Sequence, residues 1–415
     1  MPSETTASIP RLAVGLLSEA AEDAPVVLVH GPRQSGKSTL VRDYGEPRGY
    51  RAMTFDDDGV ARAALADPAG FVGELPDRVI LDEVQRVPEI FLALKLAVDR
   101  DRRPGRFLLT GSSNILLLPR LADSLAGRMA IVRLHPMAQC EMLQSKPSFL
   151  DHLLAGKFAV ASSRRQGQSL AARIVQGGFP ALLSLPTPAR HARWHRDYVE
   201  SIVQRDVRSI ARIASLDSLP RLLELLAGQT ARVLNISELA SPFGLSRPTL
   251  RDYVTLLERQ FLVEELPAWH TNRISRLVKS PKVHLADTGL ACSLLGLNAD
   301  ALWKDRDAFG QMLETFVYGE LRRQASGRDE RIAFHHFRHR DGAEVDIVLE
   351  HGGGIVSGVE VKASSTVRPS DFSGLRALKK ACGKRFGCGV IAYDGEMCVG
   401  FGDGMFAVPI ERLWD

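Results

Sequence analysis

The run Gly31-Pro32-Arg33-Gln34-Ser35-Gly36-Lys37-Ser38 has the spacing G-x-x-x-x-G-K-S of a phosphate-cradling loop. Glycine at both ends lets successive backbone N–H groups curl around phosphate oxygens, and a helix opening at the lysine adds the positive end of its dipole. On this reading Gly31 through Ser38, continued by Thr39, bind a nucleotide, with Lys37 reaching the β- and γ-phosphates and Ser38 ligating magnesium. Further along, the apolar run Val79-Ile80-Leu81 ends in Asp82-Glu83. Acids at a strand end are ordinarily a solvated turn. Paired with the loop, Asp82 can complete the magnesium shell and Glu83 can orient an attacking water. ATP and Mg2+ are the expected ligands, and ATP hydrolysis is the expected reaction.

A second constellation lies near the other end: Glu344-Val345-Asp346-Ile347-Val348-Leu349, a glycine-rich turn at His351-Gly352-Gly353-Gly354, then Gly358-Val359-Glu360-Val361-Lys362. On paired antiparallel strands the period of two puts Glu360 and Lys362 on one face and turns both toward Asp346. Two carboxylates so placed repel and seek a cation, and the expected metal ligands are Asp346 and Glu360. A preceding helix contributes Glu314 and Glu320. His335, His336 and His339 read as strand and loop residues rather than ligands.

These groups need a scaffold. Continuous apolar runs at Val26–Val29, Tyr50–Phe55, Val79–Leu81, Phe107–Thr110 and Met129–Leu134 suit strands buried on both faces of a parallel sheet. Helix-compatible segments between them, such as Ser38–Asp43 and Ile90–Asp99, indicate βαβ crossovers. Residues 1–146 form the expected first domain, closed by Ser145-Lys146-Pro147-Ser148. Residues 147–300 are predicted to be helical, with turns at Gly177-Gly178-Phe179-Pro180 and Pro186–Pro188. Residues 301–415 return to α/β. Here a helix Met312–Gln324 precedes strands Ile332–Phe337, Glu344–Leu349 and Ile355–Lys362, followed by a helix Phe372–Ala381 and a strand Gly389–Tyr393.

Within the middle region, about residues 233–269, the pattern reads as a winged helix. It has a short helix Ile236–Phe243, a turn at Gly244, Ser246 as N-cap, Pro248 early in a longer helix through Arg259, and a strand Phe261–Trp269. Ser246, Arg247, Thr249 and Arg251 would then face DNA, although such modules also serve as packing elements. Arg205, Arg208 and Arg212 recur at helical spacing and could track phosphates, a solvated face being the default. Trp194, His195 and Tyr198 are expected to pack locally.

With both motifs in order, the first 145 or so residues resemble the AAA-type ATPase module of a large prokaryotic family whose C-terminal part has no assigned function. The resemblance implies a γ-phosphate sensor after the fourth strand, in Gly111-Ser112-Ser113-Asn114, with Asn114 the first choice and Ser112 or Ser113 the alternatives. Ser124-Leu125-Ala126-Gly127-Arg128 resembles that family's Leu-Ala-Gly-Arg signature and implies Arg128 as an arginine finger or sensor arginine. A finger acting in trans would make the chain a homo-oligomer. Residues 310–395 resemble the PD-(D/E)XK nuclease core, which implies that Asp346 and Glu360 ligate magnesium and that Lys362 meets the scissile phosphate or attacking water, although Val345 stands where that core has proline.

Composition bounds the rest. With 415 residues, 45% of them hydrophobic, the chain can bury two or three cores, and 53 basic against 49 acidic residues, a net +4, neither demands nor excludes nucleic acid. Five cysteines without C-x-x-C spacing exclude a zinc ribbon and a disulfide framework, as expected of a cytoplasmic protein. The apolar stretch Leu12–Leu17 is too short for a signal sequence or a membrane span. Two functions compete: an ATPase that positions a Mg-dependent nuclease on DNA, and an ATP-dependent switch that binds DNA or protein through a nuclease-like domain that cuts nothing.

Overall fold

The computed structural model describes residues 9–112, 125–203 and 218–415, apart from Arg273, Ser275, Leu277, Val278 and Arg340. The chain divides into two compact units, residues 1–137 with 259–261 and 326–329, and residues 138–258, 262–325 and 330–415.

The first unit is built on five parallel strands, β1 (Val26–His30), β2 (Arg51–Thr54), β3 (Val79–Asp82), β4 (Phe107–Gly111) and β5 (Met129–Arg133), in the order β2-β3-β4-β1-β5. The sequence runs look uniformly apolar because alternate residues serve two cores. Val26, Leu28, Val79, Leu81, Phe107 and Leu109 pack on one face with the helix Ile90–Arg100. Val27, Val29, Ile80, Leu108 and Val132 pack on the other with helices Ala13–Asp23 and Lys37–Gly45. Truncating Leu28, Leu81, Leu108, Leu109 or Ile80 to alanine costs about 2–5 kcal/mol. Strand β1 therefore sits between β4 and β5, and its C-terminal end delivers the glycine-rich loop.

In the second unit a seven-stranded sheet follows the order β10-β11-β12-β13-β15-β14-β6. Its strands are β6 (Ala161–Ser162), β10 (Ala333–Arg338), β11 (Glu344–His351), β12 (Ile355–Lys362), β13 (Phe386–Tyr393), β14 (Met397–Gly400) and β15 (Met405–Pro409). Strands β10, β11 and β12 are antiparallel, whereas β12, β13 and β15 run parallel. The helix Ser373–Cys382 lies close on this sheet. A Cβ on Gly358 would fall 2.7 Å from Leu375, and one on Gly374 would meet the Glu344 carbonyl at 1.8 Å. Leu375 and Leu378 share their core with Phe337, Val345, Val348, Val356 and Ile391.

A smaller antiparallel sheet in the same unit has the order β7-β9-β8, from β7 (Arg232–Val233), β8 (Val263–Leu266) and β9 (Lys282–Leu285). Helices Ser218–Gly228, Ile236–Ala240 and Arg247–Arg259 accompany it. The expected strand Phe261–Trp269 is trimmed to β8, and its late start follows from the left-handed backbone at Phe261, φ 58°.

The N-terminal stretch of the first unit ends at Met137, nine residues before the boundary read from the sequence. The following helix Gln139–Leu143 already belongs to the second unit, where the Gln139 N–H donates to Glu320 at 2.9 Å and the Ser145 hydroxyl bonds the Trp414 carbonyl. The middle and C-terminal regions also share one compact unit, since β6 of the former pairs with β14 of the latter.

Candidate functional site: a phosphate loop and a buried charge cluster

The loop after β1 is turned by left-handed backbone at Gln34, φ 62°, and Gly36, φ 91°. At Gly31 a side chain is excluded by contact, since a Cβ there would lie 2.0 Å from the Leu134 carbonyl oxygen. The helix Lys37–Gly45 opens directly behind, which directs its N-terminal N–H groups at the loop. Lys37 is buried, and its ammonium donates to the Pro32 carbonyl at 2.8 Å, holding the loop curled. Arg11 ties the loop from outside, donating to the carbonyls of Ser35 at 2.8 Å and His135 at 2.7 Å. Beneath, His30 has its pKa lowered to about 4 by burial, with Arg133 and Lys37 adding to the effect, so it stays neutral beside the phosphate site.

The acidic pair meets this loop. The Ser38 hydroxyl donates to Asp82 Oδ1 at 2.7 Å, and Thr110 of β4 donates to the same oxygen at 2.5 Å. A hydroxyl against a carboxylate is the protein half of a magnesium shell whose other ligands are phosphate and water, so the residues fit that ion. Glu83 stands one residue past β3 in left-handed backbone, φ 57°, and its N–H donates to Thr110 Oγ1 at 3.1 Å. Its carboxylate accepts from Ser112 at 3.1 Å and from the Gln85 amide, and Gln85 also donates to Ser112 at 3.0 Å. Sequence reasoning missed Gln85, Thr110 and Arg11. The only sequence signal for the first was an amide two residues past the acidic pair.

Of the sensor candidates, Ser112 stands beside Glu83, whereas Ser113 and the favoured Asn114 lie outside the described residues. Arg128 stands apart from these groups. It precedes β5, whose first residue Met129 is in register with Val26 at the start of β1, while His30 at the loop end is in register with Arg133. At about 3.3 Å per residue, roughly 15 Å of strand separates Arg128 from the phosphate loop of its own chain. There it pairs with Asp99 at 2.6 Å. The parallel register thus sets Arg128 at the end of the sheet away from the phosphate loop of its own chain.

In the second unit the register Ile347↔Val359 sets Asp346 opposite Glu360. Lys362 donates to Glu360 Oε1 at 2.9 Å, and Asp346 Oδ2 accepts the Val361 N–H at 2.9 Å. Glu314, on the helix Arg306–Ala325, joins them through Lys282 of β9, whose ammonium lies 2.7 Å from Glu314 Oε1 and 3.1 Å from Asp346 Oδ1. Burial, reinforced by Asp346, raises the Glu360 pKa to about 8. The same two influences raise Glu314 well above the carboxylate range, with Lys282 opposing them. Burial presses Asp346 upward too, but Lys282 and the Val361 N–H outweigh it and hold its pKa low.

Among the described residues no three His, Cys, Asp or Glu side chains are grouped so as to hold a metal, and the cation facing Asp346 is Lys282. Glu320 does not join the cluster. Six residues beyond Glu314, it projects from another side of the helix, where it binds Arg323 at 2.9 Å and the Gln139 N–H. Sequence reasoning missed Lys282, which sits in a four-residue strand, Lys-Val-His-Leu, too short for periodicity to reveal.

Ser246 caps the helix Arg247–Arg259, accepting from the Thr249 N–H at 3.3 Å. Arg247 is exposed, whereas Arg251 is paired with Glu265 of β8. Arg205, Arg208 and Arg212 lie outside the described residues. Trp194 stacks on Tyr198 with centroids 5.0 Å apart, and His195 is buried near Asp287. His335 and His336 are buried, and His339 pairs with Asp341 at 2.7 Å. The five cysteines are free and buried. No described helix is long and apolar enough to cross a membrane.

The parallel sheet, the glycine loop after β1 and the Ser38–Asp82 contact define an AAA-type P-loop ATPase module. Residues 23–143 match the family model described as AAA domain, and residues 167–301 and 309–413 match two models described as domains of unknown function, DUF8612 and DUF4143. An uncharacterized protein of Mycobacterium tuberculosis is 30% identical over 406 residues, 97% of this chain and 84% of its own length, and one of Mycobacterium bovis matches equally. The chain belongs to the family of these mycobacterial proteins. Among solved structures it is similar to a Walker-type ATPase of Pyrococcus abyssi, at 16% identity and TM-score 0.45, with 69% of this chain and 96% of that one covered. The RuvB Holliday junction branch migration motor of Thermotoga maritima gives 16% identity and TM-score 0.28, with 62% and 87% covered.

Proposed function

We propose that the chain hydrolyses ATP and couples turnover to the binding of DNA by its second unit. The observation that carries the ATPase half is the meeting of Ser38, Asp82 and Thr110 at one oxygen, with Glu83 held one residue away. Lys37 exchanges the Pro32 carbonyl for phosphate oxygens, and the loop N–H groups hold the rest of the chain of phosphates. Magnesium supplies charge neutralisation of the phosphates when bound, next to Ser38 and Asp82. Glu83 orients the attacking water and takes its proton, while Gln85 and Ser112 fix the carboxylate. Arg128 acts on the nucleotide of a neighbouring copy, which makes the working form a homo-oligomer.

The β7-β9-β8 sheet with its three helices supports the winged-helix reading, with Arg247 offered to phosphates. The helix Arg306–Ala325, strands β10–β12, helix Ser373–Cys382 and strand β13 follow the order of a PD-(D/E)XK core, and Asp346, Glu360 and Lys362 share one face as that reading requires. An active nuclease would cut DNA in Mg2+. The second reading, a non-cleaving switch, is favoured by the lysine that stands against Asp346. Turnover of ATP, measured with and without duplex, single-stranded and branched DNA, tests the coupling. Stimulation by DNA that vanishes in Lys37→Ala supports it, and turnover indifferent to every DNA refutes it. Cleavage products in the same reactions decide between the two readings.

A further inference from the structure

We propose that Lys282 is the resident cation of the carboxylate cluster, seated where a nuclease core would hold its divalent metal, so that the second unit binds without metal-dependent cleavage. The inference rests on the nuclease-like reading of the second unit, from which the expectation of a metal comes.

The lysine is placed by the fold and is not a surface chain that happens to reach the cluster. Strand β9 is the central strand of its sheet, and Lys282 is in register with Val233 on one side and Leu266 on the other. Along β9 the alternation turns Lys282 and His284 to the same face, and the helix Arg306–Ala325 covers it there. His284 meets Thr315 at 3.1 Å and stacks on Tyr318 with centroids 4.4 Å apart, while Lys282 meets Glu314 one turn earlier. The lysine is 5% exposed.

Both oxygens of Asp346 are committed, although Glu360 Oε2 is buried with no hydrogen-bond partner. The ammonium bridges Glu314 Oε1 and Asp346 Oδ1, and Asp346 Oδ2 is engaged by the Val361 N–H. Magnesium requires carboxylate oxygens at about 2.0–2.1 Å in near-octahedral order and gives up its waters reluctantly. It cannot share those oxygens with an ammonium already at hydrogen-bond distance. Charge points the same way. Glu314, Asp346 and Glu360 carry at most three negative charges, and Lys282 and Lys362 supply two positive ones. A divalent ion would turn a near-balanced buried group into a cationic one, at a large desolvation cost. The lysine also joins three elements, β9, β11 and the long helix, and so fixes the small sheet against the large one.

Titration of the nucleotide-free full chain with Mn2+, read from the loss of the free-ion paramagnetic resonance signal, tests this. Wild type and Asp346→Asn should give the same binding curve, because the cluster contributes no site. Lys282→Ala should gain one Mn2+ per chain and a melting temperature that rises on Mn2+ addition, both absent from the double variant Lys282→Ala with Asp346→Asn. A wild-type Mn2+ site lost in Asp346→Asn would overturn the inference while upholding the nuclease-like reading, and this comparison needs no Lys282 variant to fold. A folded Lys282→Ala that gains no metal would overturn both, since the lysine would then not mark a metal position.

Discussion

Replacing Glu83 by glutamine isolates one step of the reaction. The amide has the shape of the carboxylate and can still accept from Ser112 and Gln85, and the left-handed backbone at φ 57° stays anchored by Thr110. What disappears is the charge that orients water and receives its proton. General-base contributions of about 10²–10⁴ correspond to roughly 2.7–5.4 kcal/mol of transition-state stabilisation, at about 1.36 kcal/mol per tenfold. We therefore expect kcat for ATP to fall by about two to four orders of magnitude, while nucleotide affinity changes by less than about threefold. Steady-state phosphate release and titration with a fluorescent ATP analogue measure the two quantities separately. Gln85→Ala provides the graded comparison. Losing one holding hydrogen bond, worth about 0.5–1.5 kcal/mol, should lower kcat by no more than about tenfold. Turnover of Glu83→Gln within twofold of wild type would refute the assignment, and an equal fall in affinity would mean that Glu83 shapes the loop rather than the reaction.

Other expectations follow from particular contacts. Arg128→Ala should slow turnover with near-normal ATP binding; because Arg128 lies at the far end of its own sheet, mixing it with Lys37→Ala, whose arginine is intact, should restore activity, and no recovery on mixing would remove the trans assignment. Arg247→Ala should weaken DNA binding and flatten its salt dependence by about one counterion per lost phosphate contact; Arg251→Ala should add little because Glu265 already occupies it, so equal effects in titrations at two salt concentrations would contradict the pairing. Burial and the neighbouring Glu265 raise the Glu258 pKa to about 7, above the unfolded value of 4.5. A carboxyl raised in the folded state contributes stability that is complete below pH 4.5 and lost as pH rises through 7. Glu258→Gln should therefore melt higher than wild type at pH 8, with less pH dependence between 4.5 and 7; an unchanged melting profile would contradict the burial argument.

The AAA-type module was legible because its signals are local. The glycine spacing, the apolar runs and the Asp82-Glu83 pair each sit in contiguous sequence, and a strand buried on both faces needs no partner to be recognised. The carboxylate hairpin was legible for a similar reason, since its period of two and glycine turn dictate that Asp346 and Glu360 stand opposite each other. The helix Arg247–Arg259 was legible through its Ser246 cap and its amphipathic pattern. By contrast, β6, β7, β9, β14 and β15 were not read, because strands of two to five residues carry too few alternations to stand above chance. Gln85 went unread because an isolated amide has no spacing signature.

What the sequence determined by itself was chemistry carried within single segments: a loop that must wrap phosphate, an acidic strand end, and two carboxylates and an amine on one hairpin face. Tertiary structure alone decided which residues from distant segments join them. The parallel register of β1 and β5 removed Arg128 from its own phosphate site, and helix rotation turned Glu320 away from the cluster that Glu314 enters. It also brought Lys282 to Asp346, 64 residues along the chain. The physical reason is common to all three. Periodicity fixes the face on which a side chain lies, but only the packing of one element on another decides what that face meets, and in a buried site the charge it meets sets the chemistry.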